Sequence, residues 1–171
     1  MQKLILTGVA LFCLSVPVMA HDAVKDVHAV LVNDAGKDVG KATISVAGDD
    51  GVLVTVEATG LAPGWHGLHM HTIGNCDDHA DHFKMAGGHL AGKDEKHGFL
   101  NAAGPHKGDL PNIWVHEDGT AKVQIFSEDL EMEDVMDQDG AALMIHETAD
   151  DYLTDPAGAS GARLACGVLA P

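Results

Sequence analysis

Apolar residues recur at every second position in short stretches, first in Val27 to Asn33 (VHAVLVN), then in Lys41 to Ala47 (KATISVA) and Val52 to Ala58 (VLVTVEA). A period of two marks a strand that buries one face. The turn sequences DAGKD and GDDG separate these stretches at hairpin spacing. LAPG leads into a fourth stretch, His66 to Thr72. After a long interruption, Asn112 to His116 (NIWVH) and Ala121 to Phe126 (AKVQIF) flank Glu117, Asp118 and Gly119, a hairpin turn of the Asp-Gly kind. Ala141 to His146 and Ala165 to Leu169 bring the strands to eight, so the pattern predicts an all-β chain. The acidic run Ser127 to Gly140 reads as a solvated connection with room for a helical turn.

Between Thr72 and Asn112 the alternation stops, and a structureless connection of that length is unusual inside a compact domain. Ordering it costs on the order of 1–2 kcal/mol per residue. A bound metal offsets such a cost, since a structural zinc contributes roughly 10–16 kcal/mol in small zinc domains. The Gly- and Pro-rich part of this stretch, Gly87 to Pro111, places His89, His97, His106 and Asp109 together. Just upstream, HGLHMH is short and extended, and residues two apart on a strand share a side. His69 and His71 therefore converge on one ion. His66, at odd spacing, points the other way and reads as a structural histidine. Imidazole suits copper and zinc, and a carboxylate oxygen in a tetrahedral set suits zinc. The bland alternative is a solvated His-rich loop that adsorbs metal loosely.

The segments GLHMHTIGNC, AGGH, KHG, HKGDLP, LMIHETADD and GARLACGV resemble the copper/zinc superoxide dismutases, in their bacterial secreted branch. The spacings 89 to 97, 97 to 106 and 106 to 109 all fit that family's pattern, and the likeness covers the chain after residue 24. The resemblance implies that the eight strands build a flattened Greek-key barrel or sandwich with two long loops. It implies one copper per chain on His69, His71, His89 and His146. One zinc would sit on His89, His97, His106 and Asp109, with the His89 imidazole serving both ions. The implied activity is dismutation of superoxide to dioxygen and hydrogen peroxide at a copper that changes oxidation state, with His89 relaying a proton and zinc ordering the loop. Asp150 would hydrogen-bond His69 and His97 and so orient them. Arg163, the only arginine in the chain, would guide the anionic substrate.

The chain has 171 residues, one domain's worth, and a formal net charge of −16. Such acidity argues against nucleic acid and anionic membranes as partners. It also means that any attraction of superoxide must be local, which is what one tethered arginine supplies. Residues 1–20 (MQKLILTGVALFCLSVPVMA) carry one lysine, an apolar run and a small-residue ending. They read as a cleaved signal peptide rather than a membrane anchor, leaving a mature domain of residues 21–171 and a charge of −17 after loss of Lys3. An exported chain with two remaining cysteines, Cys76 and Cys166, reads as a periplasmic protein with one disulfide around the whole histidine-rich segment.

The segment Glu147 to Ala162 has no lysine, whereas better-known eukaryotic members of that family carry charged residues there that help guide substrate. Lys84, in the segment between Cys76 and His89, is the candidate to replace them. His21, His28, His79 and His82 are candidates for transient metal uptake or plain solvated surface, and His116 is expected to be unrelated. A rival function on the same fold is a non-enzymatic copper or zinc carrier. A zinc hydrolase is disfavoured, because three histidines and Asp109 leave no open zinc position. The resemblance allows a homodimer, and the sequence does not choose the oligomeric state.

Overall fold

The computed structural model describes residues 26–48 and 51–170; the leader of residues 1–20 and His21 lie outside the described residues. Among the described residues, eight strands run β1 (Val27–Asn33), β2 (Asp38–Val46), β3 (Val52–Ala58), β4 (Gly64–His71), β5 (Asp109–Val115), β6 (Ala121–Ser127), β7 (Ala141–His146) and β8 (Arg163–Leu169). One helical turn, α1 (Met132–Val135), lies between β6 and β7. The strands form a single antiparallel sheet in the order β5-β4-β7-β8-β1-β2-β3-β6. Its two edges, β5 and β6, are joined by a tight turn in which Gly119 donates to the His116 carbonyl, and the sheet thereby rolls into a nearly closed barrel. Two connections between strands that are not neighbours, β3 to β4 and β6 to β7, give the Greek-key connectivity.

The alternation read from sequence is the alternation seen. Val27, Ala29 and Leu31 of β1 face inward, and Val52, Val54 and Val56 of β3 do the same. Facing positions meet in register, Ile44 with Val54 and Val54 with Ile125. β7 departs from alternation because both its faces are covered. Leu143 and Ile145 enter the barrel, while Ala142 and Met144 pack outside against Phe83, Ala86 and the cysteine pair. That second cluster pins the long loop to the barrel wall. Phe83 is fully buried there, a contribution of about 1.5–3 kcal/mol.

Several strand boundaries differ from the sequence expectation, β4 for instance starting at Gly64 rather than His66. β2 starts at Asp38 rather than Lys41, because Gly40 can approach the Glu57 backbone where any Cβ would collide, so pairing continues past the polar residues. β5 starts at Asp109 and β8 at Arg163, each inside a stretch that sequence reads as loop. The acidic connection does contain a helical turn. Leu130 and Val135 within it are fully buried, so it is a lid on the core as well as a solvated run.

Candidate metal centre

β4 supplies His69 and His71 on the outer face of the barrel, while the alternate residues Leu68 and Met70 fill the core. β7 runs beside β4 and ends at His146, which pairs across β8 with Arg163. His89 arrives from the long loop. It is placed by a bridge to His71, where Thr72 donates to the Gly88 carbonyl at 3.0 Å and Leu90 to the Met70 carbonyl at 2.8 Å. These four histidines each offer a nitrogen, and the four nitrogens lie within 4.8 Å of one another. His66 is not among them. Its ring bonds the His146 carbonyl at 2.7 Å and the Ala62 carbonyl at 2.8 Å, as a satisfied structural histidine should.

Hydrogen bonds on the far side of each ring decide which nitrogen is left. His71 Nδ1 donates to the Gly87 carbonyl at 3.0 Å, His146 Nδ1 to the Gly161 carbonyl at 3.5 Å, and His69 Nε2 to Asp150 at 2.7 Å. A donor on one nitrogen leaves a lone pair on the other. Among the described residues, the buried side-chain nitrogens without any hydrogen-bond partner are His69 Nδ1, His71 Nε2, His89 Nε2 and His146 Nε2. Leaving one buried polar atom unpaired costs about 1–3 kcal/mol, so four in one place need a common partner. A cation could accept all four imidazole lone pairs, and the donor set fits copper.

A second group lies behind His89. Asp109 Oδ1 sits 2.9 Å from His89 Nδ1, 2.9 Å from His97 Nδ1 and 3.6 Å from His106 Nδ1, and the last is 3.4 Å from His89 Nδ1. Four ligands about 2.0–2.1 Å from a tetrahedral zinc are separated by ~3.3 Å, so this spacing fits zinc. A looser grouping within 4.8 Å puts His69 with His89, His97 and Asp109. Its nitrogen on that side is committed to Asp150, so His106 is the better fourth member. The other Asp109 oxygen accepts the Gly98 and His106 backbone amides at 2.7 and 3.0 Å, which fixes the carboxylate.

Burial sets the protonation of the first group. It pushes His71 down to about 2, His146 to about 3 and His89 to about 4, with neighbouring imidazoles adding to the effect, and it lowers His69 as well. The rings are neutral at pH 7, with lone pairs free for an ion. His97 goes the other way: burial opposes its charge, but Asp109 and Asp150 together outweigh burial and push it up to about 9. Both carboxyls are also penalised by burial, and their histidine partners still hold them well below the usual range.

Asp150 joins the two groups. One oxygen accepts from His69 Nε2 at 2.7 Å and the other from His97 Nε2 at 3.0 Å. Sequence reasoning missed what holds Asp150. The Asn112 side chain accepts the Asp150 amide at 2.8 Å and donates to its carbonyl at 2.9 Å, and Tyr152 donates its own amide to the Asp150 carboxylate. No spacing rule marks Asn112, because it acts on backbone atoms.

Arg163 is half-buried beside the first group. It donates to the Phe83 carbonyl at 2.6 Å and to the Gly87 carbonyl at 2.7 Å, the latter shared with His71. Cys76 and Cys166 are disulfide-bonded across 90 residues of sequence. Lys84 lies exposed in the 3-10 turn Lys84–Ala86, next to Phe83. The extra histidines stand apart. His28 bonds Thr43 and His79 bonds the Asp34 carbonyl on an open cavity beside the disulfide, His82 is exposed in the 77–87 loop, and His116 occupies the β5–β6 turn.

An eight-stranded Greek-key barrel that carries two adjoining histidine-rich clusters sharing His89, each with side chains that could hold a metal ion, defines the class. The family model described as copper/zinc superoxide dismutase matches residues 38–169, and the chain belongs to that family. It is 40% identical over 126 residues to the Cu-Zn superoxide dismutase of Caulobacter vibrioides, covering 70% of this chain and 71% of that one. It is 41% identical over 125 residues to Cu-Zn superoxide dismutase 1 of Aquifex aeolicus, covering 70% and 73%. Among solved structures, a SOD-like protein from Bacillus subtilis superposes with a TM-score of 0.79 at 41% identity, covering 83% of this chain and 97% of that one. The Cu/Zn superoxide dismutase from Brucella abortus gives 0.69 at 27% identity, covering 85% and 99%. Among the described residues, no helix is long and apolar enough to cross a membrane.

Proposed function

We propose that the chain is a superoxide dismutase that holds one copper on His69, His71, His89 and His146 and one zinc on His89, His97, His106 and Asp109. The observation that carries this reading is the set of four buried, unpartnered imidazole nitrogens, one of them on a ring whose other nitrogen belongs to the second group. Copper bound there supplies one-electron exchange, so that two superoxide ions and two protons become one dioxygen and one hydrogen peroxide; zinc, without redox chemistry, supplies fixed charge.

The chain's own residues do the rest. Arg163 presents its guanidinium at the edge of the four-histidine group and offsets, locally, a net charge of −16. Lys84, on the same loop segment, adds to that field. His89 holds or yields a proton at Nε2, the nitrogen that faces the first group, while Nδ1 stays turned to Asp109. Asp150 keeps His69 and His97 in the orientation that points their remaining nitrogens inward. The disulfide supports an oxidising compartment, and we place the mature protein, residues 21–171 after removal of 1–20, in the periplasm.

Purified protein loaded with copper and zinc should remove superoxide far faster than the same concentration of free copper. Equal rates would favour the carrier reading instead. His146→Ala takes away one of the four unpartnered nitrogens and leaves the Asp109 group whole, so copper content should fall well below stoichiometric while zinc stays near one per chain. A variant that keeps both metals and full activity would contradict the copper assignment.

A further inference from the structure

Among the described residues, Arg163 has no carboxylate within ion-pair distance, and its hydrogen bonds end on backbone carbonyls of one loop segment. Whatever fixes that segment fixes the guanidinium. Residues 77–87 contain two 3-10 turns, His79–Asp81 and Lys84–Ala86, with His82 and Phe83 both at positive φ between them. Such a path holds its shape only if its amides have acceptors.

Asp78 supplies them from its two ends. Its carbonyl accepts the Asp81 amide at 2.8 Å and the Phe83 amide at 3.3 Å, and one carboxylate oxygen accepts the Met85 amide at 3.0 Å. The residues so held bracket Phe83, whose own carbonyl takes one arm of Arg163, and lead through the Lys84 carbonyl to the Gly87 amide, whose residue takes the other arm. The second Asp78 oxygen is buried and has no hydrogen-bond partner among the described residues. A carboxylate so placed is costly unless a cation lies within reach of its field. Burial lowers Arg163 from its ordinary value and the Asp78 charge acts against that, so the two sense each other without touching.

We propose that Asp78 is a positioning residue for anion capture: its carboxylate braces the 83–87 segment, whose carbonyls aim the Arg163 guanidinium at the four-histidine group. The inference rests on the superoxide dismutase reading for its physiological substrate, but not for its test. The probe is azide, a small anion that binds copper(II) proteins with a visible absorption band, titrated into the copper- and zinc-loaded protein.

Asp78→Ala removes the acceptor of the Met85 amide, and the azide dissociation constant should rise about tenfold, the equivalent of one charge-assisted hydrogen bond, with copper content unchanged. Asp78→Asn still offers an oxygen to that amide and should restore most of the affinity, which separates the brace from the charge. Arg163→Ala should weaken azide at least as much, and Asp78→Ala added to Arg163→Ala should cost little more, because the brace then has nothing to aim. Unchanged azide affinity in Asp78→Ala, or full additivity of the two substitutions, would overturn the proposal. Should the loaded wild type bind azide but leave superoxide untouched, the functional reading fails while the azide series still decides the role of Asp78.

Discussion

His97 and Asp150 meet so closely that the chain must pass them without a side chain, and Gly158 is the residue that passes. Its φ is +63°, and a Cβ there would collide with Asp150 Oδ1 and crowd His97 Nε2. Gly48 makes a fair comparison, with φ +72° and, among the described residues, nothing within 4 Å of where a Cβ would stand. Gly48→Ala should cost about 1 kcal/mol from backbone conformation alone, and Gly158→Ala at least ~2 kcal/mol more. Urea unfolding of the two metal-free variants measures the difference; equal midpoints would mean that Asp150 shifts aside freely. At this scale, legibility divides by what a residue acts on. His69, His71 and the inversion of His66 are written in a period of two, and Arg163 stands out because it is alone. Asn112, Gly158 and the carbonyls of Phe83 and Gly87 carry no such mark. They work through backbone atoms and close approach, which residue spacing does not encode.

Strands β1 and β3 follow the alternation because one face is wet, and a period of two is then enforced by the solvent. β7 shows the limit of that rule: AALMIH is buried throughout and apolar up to His146, since the loop carrying Phe83 covers its outer face. The starts of β5 and β8 were hidden for a related reason. Asp109 and Arg163 are polar residues that pair in the sheet while their side chains serve the site, so their chemistry masks their geometry. The disulfide belongs to this scale as well. It ties the loop segment 77–87, which holds Arg163, to β8, which bears it. Replacing Cys76 and Cys166 together by serine should lower stability by about 4–5 kcal/mol on the chain-entropy model for a closed loop of 90 residues. Proteolysis of the metal-free double variant should cut first between residues 77 and 87. Cutting elsewhere first would show that Phe83 alone secures the segment.

For the molecule as a whole, the metal-free barrel holds buried histidines whose protons are refused in the folded state and accepted in the unfolded one. Folded, His71, His146 and His89 sit at about 2, 3 and 4; unfolded, each returns to about 6.5. Between pH 6.5 and 4 the unfolded chain therefore binds up to three more protons at these positions, and stability falls as the pH falls, by about 1.4 kcal/mol per unit for each. His97 has the opposite sign. Its folded value of about 9 makes its contribution complete below pH 6.5 and lost as the pH rises through 9. Asp109 and Asp150 are depressed, so what they contribute is present above the ordinary carboxylate range and is lost only in stronger acid. The metal-free protein should then be most stable near pH 6.5, with the acid side about three times as steep as the alkaline side. The surface adds a counter-current, because a charge of −16 repels itself less as acids protonate, and 0.5 M salt screens most of that. Urea midpoints measured in high salt from pH 4 to 9 test the asymmetry. A profile flat from pH 6.5 to 4.5 would mean that the three imidazoles are hydrated in the absence of metal, and that the four unpartnered nitrogens are not the closed, dry cage on which the copper assignment depends.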